Sequence, residues 1–376
     1  MLSVDPKYGL EAASFPLLRV LEDPRYLKST LASDKIYGIS GLTKKKEHVK
    51  VDYMMDAAEV FRNLAVAYLR EGKSLEILYH CIYSSVPPKL NLPSWVPDWT
   101  RRGQTEPLYI RGLEAYASGH SEHTFKVSND NRTLHISGKL VDKIAIIDDL
   151  RPIPLMYPRR VPHLVDLSQT GLMGQHIDTQ ELEDRYQVEL TRVEKSTRAS
   201  YRNVLNMAFP KGTQTEVLHE NLWRTLMCNQ TRDNKVPDPS CGLGFDIWMS
   251  ATISGKFPED VLRERRRIEG QVAVNEEKHL ENDNYAEKAV AQFSGALTKW
   301  SYNRRFFRTK AGRFGWAVDG AQAGDQIAIL YGGDFPLTLR QSGANYHMII
   351  GDCYLHGLMD GKAMDMDFPE HTFFVC

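Results

Sequence analysis

Three patterns predict an α+β fold: a small antiparallel β-barrel built from two separated β-rich regions, with a helical N-terminal region and a large helical insertion. Apolar residues alternate with polar ones between Phe125 and Ile146, the period of a half-buried strand. They recur at three- and four-residue spacing around 56–71 and 216–229, the period of an amphipathic helix. Glycines then punctuate Gly312 to Gly361 every few residues, the cadence of short strands joined by turns.

The first region, 1–100, is mainly helical. A short helix or strand is expected over Asp34–Leu42, ending at Gly41, followed by the charged loop Lys44–Lys46. A helix over Asp56–Glu71 has Asp56 as its N-cap and Gly72 where a C-terminal cap belongs. Val60, Phe61, Leu64, Ala67 and Tyr68 form its apolar face. A second helix, Leu75–Tyr83, stops before Pro87 and Pro88. The connector Leu92–Trp99 reads as extended, which places Trp95, Pro97 and Trp99 on one face. Burial of each indole would stabilise the fold by roughly 2–3 kcal/mol.

The second region, 101–150, is β-rich. Phe125 and Val127, a turn at Asn129–Asn131, then Leu134 and Ile136 spell a hairpin, with a further strand after Gly138. The third, 151–304, opens with a Pro-rich link (Pro152, Pro154, Pro158, Pro162). Helices are predicted over Glu181–Ala208, Glu216–Asn229 and Asn284–Trp300, the last with Asp283 as N-cap. The fourth, 305–376, returns to strands at Ile327–Tyr331, Phe335–Arg340 and Tyr346–Ile350. Strands of the second and fourth regions are expected to join in one β-domain that the helices interrupt.

Composition narrows the function classes. Across 376 residues, 47 Lys and Arg meet 48 Asp and Glu, so no basic excess favours nucleic acid. The arginines at 263, 265, 266 and 267 are interleaved with Glu264 and Glu269, the pattern of a solvated helix face. Five scattered cysteines without a C-x-x-C pair fit reduced thiols in a cytoplasmic, or nuclear, protein. The longest apolar runs, such as Ile144–Ile147, are too short to span a bilayer, so no membrane partner is expected.

Neither G-x-S-x-G nor H-E-x-x-H occurs, so no catalytic residue is nominated. Gly324-Asp325 and Tyr331-Gly332-Gly333-Asp334 precede no helix and lack a phosphate-loop lysine; they read as hairpin turns, and no cofactor is expected. His120, His123, His135, Cys353 and His356 do not converge in sequence as zinc ligands do, so no metal is expected. Asp148-Asp149 reads as a polar strand end.

Five stretches carry a family resemblance. Asp34, Lys35, Tyr37 and Gly41, with Leu42, match a D-x-R-D-K-V-Y-A-L-L-G-L element, in which Ser33 replaces the Arg and Gly38-Ile39-Ser40 replace the Ala-Leu-Leu run. Asp52 and Tyr53, followed by the helix with Val60-Phe61, resemble a P-D-Y-x(n)-E-V-Y segment, with Val51 in place of the Pro. Leu92-Pro93-Ser94-Trp95-Val96-Pro97-Asp98-Trp99 reproduces an L-P-S-W-V-P-D-W block, and Trp223-Arg224 is also matched. At the C-terminal end stand Gly315-Trp316, Gly324-Asp325, Gly332-Gly333 and Tyr354, His356, Gly357 and Gly361. These resemble the fungal heterokaryon-incompatibility (HET) protein family, in the region downstream of its HET domain. That domain's A-L-S-Y-x-W-G and W-I-D-x-x-C-I-N-Q blocks do not occur in this sequence, so the HET domain is expected to be missing. It has been likened to TIR-type domains, some of which cleave NAD; such activity would lie in that segment. The resemblance implies a non-catalytic regulatory or scaffolding role in nonself recognition and programmed cell death, with an unidentified protein partner. Two alternatives stand beside it: an enzyme with a small-molecule pocket between barrel and helices, and a truncated member without independent function.

Overall fold

The computed structural model describes residues 17–22, 25, 27–40, 50–71, 74–84, 88–101, 105–149, 198–210, 215–256, 258–270 and 276–376. Side chains at 259, 265, 266, 268–270 and 276–284 are outside that description. So are Gly41, Leu42, the Lys44–Lys46 loop, Gly72, the Pro-rich link and most of the predicted Glu181–Ala208 helix. Two compact units emerge: residues 1–147 with 307–376, and residues 148–306.

In the first unit the helices are α1 (Leu17–Glu22), α2 (Asp34–Ser40), α3 (Ala57–Glu71) and α4 (Glu76–Tyr79). Val60, Phe61 and Leu64 of the predicted apolar face of α3 are buried, but Ala67 and Tyr68 are only half-buried, and Ala65, Val66 and Leu69 are buried in their place. The predicted Leu75–Tyr83 helix is cut short at Tyr79. The Tyr83 N–H instead donates to the Ile350 carbonyl at 2.8 Å, a tertiary bond that draws the chain out of the helix.

The strands are β1 (Phe125–Val127), β2 (Leu134–Ile147), β3 (Arg304–Thr309), β4 (Phe314–Val318), β5 (Gln326–Leu330), β6 (Leu337–Ser342), β7 (Tyr346–Leu355) and β8 (Glu370–Val375). The hairpin forms in the register Phe125↔Ile136 and Val127↔Leu134. Gly138 does not divide two strands; β2 runs through it as one strand of 14 residues. A Cβ there would stand 2.5 Å from the Ile329 carbonyl oxygen, so glycine permits the close approach of β5.

Strand β2 organises the sheet. Its later part pairs antiparallel with β5 on one edge and with β3 on the other. Hydrogen-bonded neighbours then run β2-β3-β4-β7-β6-β5 and back to β2, a closed ring of strands. Its antiparallel members come from both β-rich regions, as the sequence predicts. Register shifts at Leu140/Asp142 and Ile144/Ile146 bend β2 where it changes partners. Strand β8 pairs antiparallel with the earlier part of β2 and, at Tyr346↔Phe374, parallel with β7. Val141, Ile144, Phe307, Ala317, Ile327, Ile329, Ile350 and Leu355 fill the interior. A short helix, α10 (Lys362–Asp365), precedes β8.

The second unit is helical: α5 (198–208), α6 (Glu216–Leu226), α7 (Ser240–Ser254), α8 (Pro258–Gly270) and α9 (Glu276–Ser301). Thr215 caps α6, its hydroxyl accepting from the Leu218 N–H at 3.2 Å. Helix α9 starts at Glu276, earlier than predicted, so position 283 lies within the helix and is not its N-cap. Helix α7 is not predicted from the sequence at all. Its segment is apolar around most of its circumference and carries no single stripe, so periodicity is silent. Phe245 and Trp248 of α7 meet Phe293 of α9 and Tyr201 of α5. Arg202 of α5 donates to the Thr252 and Ile253 carbonyls and Arg198 to that of Lys256, covering the exposed C-terminus of α7. Asp148, buried, accepts from Ser200 Oγ at 2.5 Å and Asn203 Nδ2 at 3.2 Å and so anchors α5, whereas Asp149 is exposed and pairs with Arg305 at 3.2 Å.

Helices α7 and α9 touch through Gly244, where a Cβ would lie 2.2 Å from the Ala289 carbonyl oxygen. Gly244→Ala is therefore expected to lower stability by roughly 1–3 kcal/mol through overpacking. Gly38→Ala in α2, where a Cβ meets nothing within 4 Å, is expected to add roughly 0.5–1 kcal/mol by helix propensity. Chemical denaturation of both variants checks this opposition of sign.

Candidate functional site

The Leu92–Trp99 connector is the densest meeting point of family-signature residues, and it lies wholly in the first unit. It is not extended. The Val96 N–H donates to the Pro93 carbonyl at 3.0 Å and closes a turn, because the two prolines break regular alternation. Trp95 and Trp99 therefore do not share one face. Both are buried, but against different partners. Trp95 Nε1 donates to the Arg132 carbonyl at 3.1 Å, beside the β1–β2 hairpin turn. Trp99 lies under the Arg25 guanidinium, 4.4 Å from ring centroid to Cζ, and beside the His80 ring at 5.3 Å. Between them Ser94 reaches the strands. Its N–H donates to the Cys376 carbonyl at 2.9 Å, and its Oγ accepts from the Ile349 N–H at 3.0 Å.

Beneath Trp99 lies a charged network that sequence reasoning missed. Glu22 of α1, Arg25 and His80 are all buried. Arg25 Nε stands 3.2 Å from Glu22 Oε1, and its terminal nitrogens donate to the carbonyls of His80 (3.0 Å) and Asp98 (3.4 Å). His80 bridges two groups: Nδ1 meets the Glu22 carboxylate, and Nε2 lies 2.6 Å from the Tyr109 hydroxyl. Asp98 itself is turned to its own loop, accepting from the Thr100 N–H at 3.0 Å.

The protonation states agree with that arrangement. Burial pushes the His80 imidazole down, outweighing the nearby Glu22 charge. Burial alone would push the Glu22 carboxyl up, but the His80 hydrogen bond and the Arg25 charge hold it below the usual range. Burial pushes the Tyr109 phenol up. A neutral imidazole then donates from Nδ1 to an ionised Glu22 and accepts from the Tyr109 O–H at Nε2. One cation and one anion remain, paired and dry.

The other signature residues have comparable internal duties. Asp34 Oδ2 accepts from the Leu31 N–H at 3.1 Å, and buried Lys35 donates to the Leu27 carbonyl. Tyr37 donates to the Asp52 carbonyl at 2.9 Å and meets the Tyr53 ring edge-on at 5.2 Å. Asp325, at the foot of β5, takes a bidentate pair from Arg340 of β6 at 2.8 and 2.9 Å, so Gly324-Asp325 is a clamped strand entry and not a phosphate loop. The Gly333 N–H closes a turn onto the Leu330 carbonyl beside Gly332. Gly315 and Trp316 pair with Leu355 and Tyr354, and the Tyr354 hydroxyl lies 2.9 Å from His356 Nδ1 beside the Gly357 turn. In the second unit, Arg224 covers the Trp223 ring at 4.3 Å and pairs with Glu220 at 2.8 Å. Pro97 is buried in the connector, and Gly361 borders a cavity described below.

The histidines do not gather. His123 stacks on Phe125 and His135 meets Phe374 edge-on. Among the described residues no three His, Cys, Asp or Glu side chains are placed to hold a metal ion. No helix of the described residues is long and apolar enough to cross a membrane. One cavity of about 830 Å³ lies in the first unit, lined by the 116–121 loop, Lys139 of β2, Tyr331, α10 and Glu370 of β8.

With this geometry in place, two comparisons with known proteins bear on the chain. Residues 259–375 match the model of the Het-6 beta-barrel domain family. The chain is also similar to heterokaryon incompatibility protein 6, OR allele, of Neurospora crassa, 21% identical over 384 aligned residues. That alignment covers 91% of this chain and 50% of the relative, so the chain spans about half the length of the protein it matches. No solved structure matches it significantly.

The buried network makes stability pH-dependent. Both Glu22 and His80 have folded-state affinities for protons below those of the unfolded chain. Their contributions are full above the unfolded values and are lost as pH falls, first for His80 below about 6.5 and then for Glu22 below about 4.3. Glu22→Gln leaves Arg25 buried without its anion and is expected to cost about 3 kcal/mol at neutral pH. Thermal melts of both proteins between pH 4 and 8 check the profile: the loss below about 6.5 is expected to persist in the variant and to be steeper, because the Glu22 carboxylate opposes the downward shift of the His80 imidazole.

Proposed function

We propose that this chain, whose residues 259–375 match the Het-6 beta-barrel domain family and which is similar to a heterokaryon incompatibility protein, is a non-catalytic regulatory or scaffolding protein of nonself recognition and the programmed cell death that follows. The relative bears incompatibility in its name, and its alignment extends over 91% of this chain. The observation that carries the reading is the disposition of the signature side chains. Trp95, Trp99, Asp325 and Trp223 are spent on contacts within the chain. Residues spent in this way build a defined surface and do not present a reacting group. A regulatory or scaffolding protein acts through such a surface, presented to a protein partner in the cytoplasm.

The reading separates presence of the chain from activation of death. Expression of the chain alone in a compatible fungal host is expected to leave growth and hyphal viability unchanged. Co-expression with the partner it regulates changes the death response. Vital-dye staining of hyphae checks both arms, and toxicity of the chain by itself contradicts the reading.

A further inference from the structure

The cavity of the first unit has no part in that reading, and its construction points to a ligand. Its volume, about 830 Å³, is within the range of small-molecule sites. Its walls are fixed by main-chain bonds. The N–H groups of Tyr116, Ala117 and Ser118 donate to the carbonyls of Met359, Asp334 and Gly333 at 3.0, 2.9 and 3.1 Å. Gly119 and Gly361 pass so closely that a Cβ on Gly361 would lie 3.1 Å from Gly119 Cα. Ser121 Oγ donates to the Ser118 carbonyl at 2.8 Å and accepts from the Gly332 N–H at 3.1 Å.

The floor is Lys139, buried, whose ammonium donates to the carbonyls of Ala363, Met364 and Met366 at 3.4, 2.8 and 2.9 Å. All three of its protons are taken. It holds α10 in place and adds positive potential without offering a donor. Beside it, Tyr331 hydrogen-bonds to the Glu370 carboxylate; burial and that carboxylate push the phenol up to about 12, so it stays protonated. On the rim Lys362 pairs with Asp360 at 2.6 Å, and Asp365 and His120 complete the polar lining. Tyr116 presents an exposed ring to the opening.

The charges decide the ligand class. Lys362 offsets Asp360, which leaves the Asp365 and Glu370 carboxylates to repel an anion, and the buried Lys139 ammonium at the floor repels a cation. A neutral molecule escapes both penalties. Adjacent acceptors and donors, with tyrosine rings to cover an apolar face, suit a ring that carries many hydroxyls. We propose that this cavity binds a neutral saccharide, its hydroxyls donating to Glu370 and Asp365, its oxygens accepting from Lys362, and one ring face lying against Tyr116. The site stands whether or not the chain acts in incompatibility.

Saturation-transfer NMR on the whole chain tests it, with glucose, mannose, galactose and N-acetylglucosamine as neutral probes and acetate and methylammonium as charged ones. Transfer to at least one sugar and to neither ion is expected. Tyr116→Ala, at an exposed position, is expected to weaken that sugar's binding about fivefold to tenfold, the size of one aromatic contact, with an unchanged melting temperature. Glu370→Gln is expected to weaken it similarly. Transfer to no sugar, transfer to an ion instead, or sugar binding untouched by both substitutions overturns the proposal.

Discussion

The first unit depends on a strap of eight residues, Leu92 to Trp99, that is tied at three places to otherwise separate pieces of chain. Trp95 holds the hairpin turn, Ser94 holds β7 and the chain's last residue, and Trp99 covers the Arg25–Glu22–His80 network. The energetic reason is burial. Two indoles removed from water supply several kcal/mol, which offsets the cost of ordering an irregular segment. The prolines lower that cost by restricting the strap before it folds. The paired charges beneath Trp99 add little net stability but penalise any alternative placement of α1, because an unpaired Arg25 or Glu22 in that interior is expensive.

The same logic runs through the barrel. Strand β2 serves β8 and then β3 on one edge, and β1 and then β5 on the other, bending at two register shifts. Closure of the ring removes the exposed edges that an open sheet would leave. The Asp325–Arg340 pair fixes the β5–β6 register at the place where β5 leaves its turn. Glycine at 138 lets β2 and β5 approach at the crossing. The interruption of this unit by more than 150 residues between β2 and β3 leaves the pairing intact, because closing a longer loop adds only logarithmically to its entropic cost.

Local patterns made part of this legible in advance. The Phe125–Ile136 hairpin shows in its alternation and its Asn129–Asn131 turn, and α3 shows in its three- and four-residue spacing. The strap shows as a motif, though its turn does not, since two prolines and two tryptophans satisfy an extended reading equally well. Helix α7 is invisible to periodicity because it is apolar on most sides. The network under Trp99 is invisible for a different reason. Glu22, Arg25 and His80 are separated in sequence by up to 58 positions and are residue types that normally face water. Only the fold shows them buried together. The cavity is equally hidden, since its lining comes from five separate stretches.

Amide hydrogen exchange on a Trp99→Ala variant tests the strap most directly. If the strap ties the unit together, protection falls in concert at the Tyr83 amide, at the Ile349 amide of β7 and in the β1–β2 hairpin, although only the strap was altered. Loss of protection confined to residues neighbouring position 99, with β7 and the hairpin unchanged, would contradict that role.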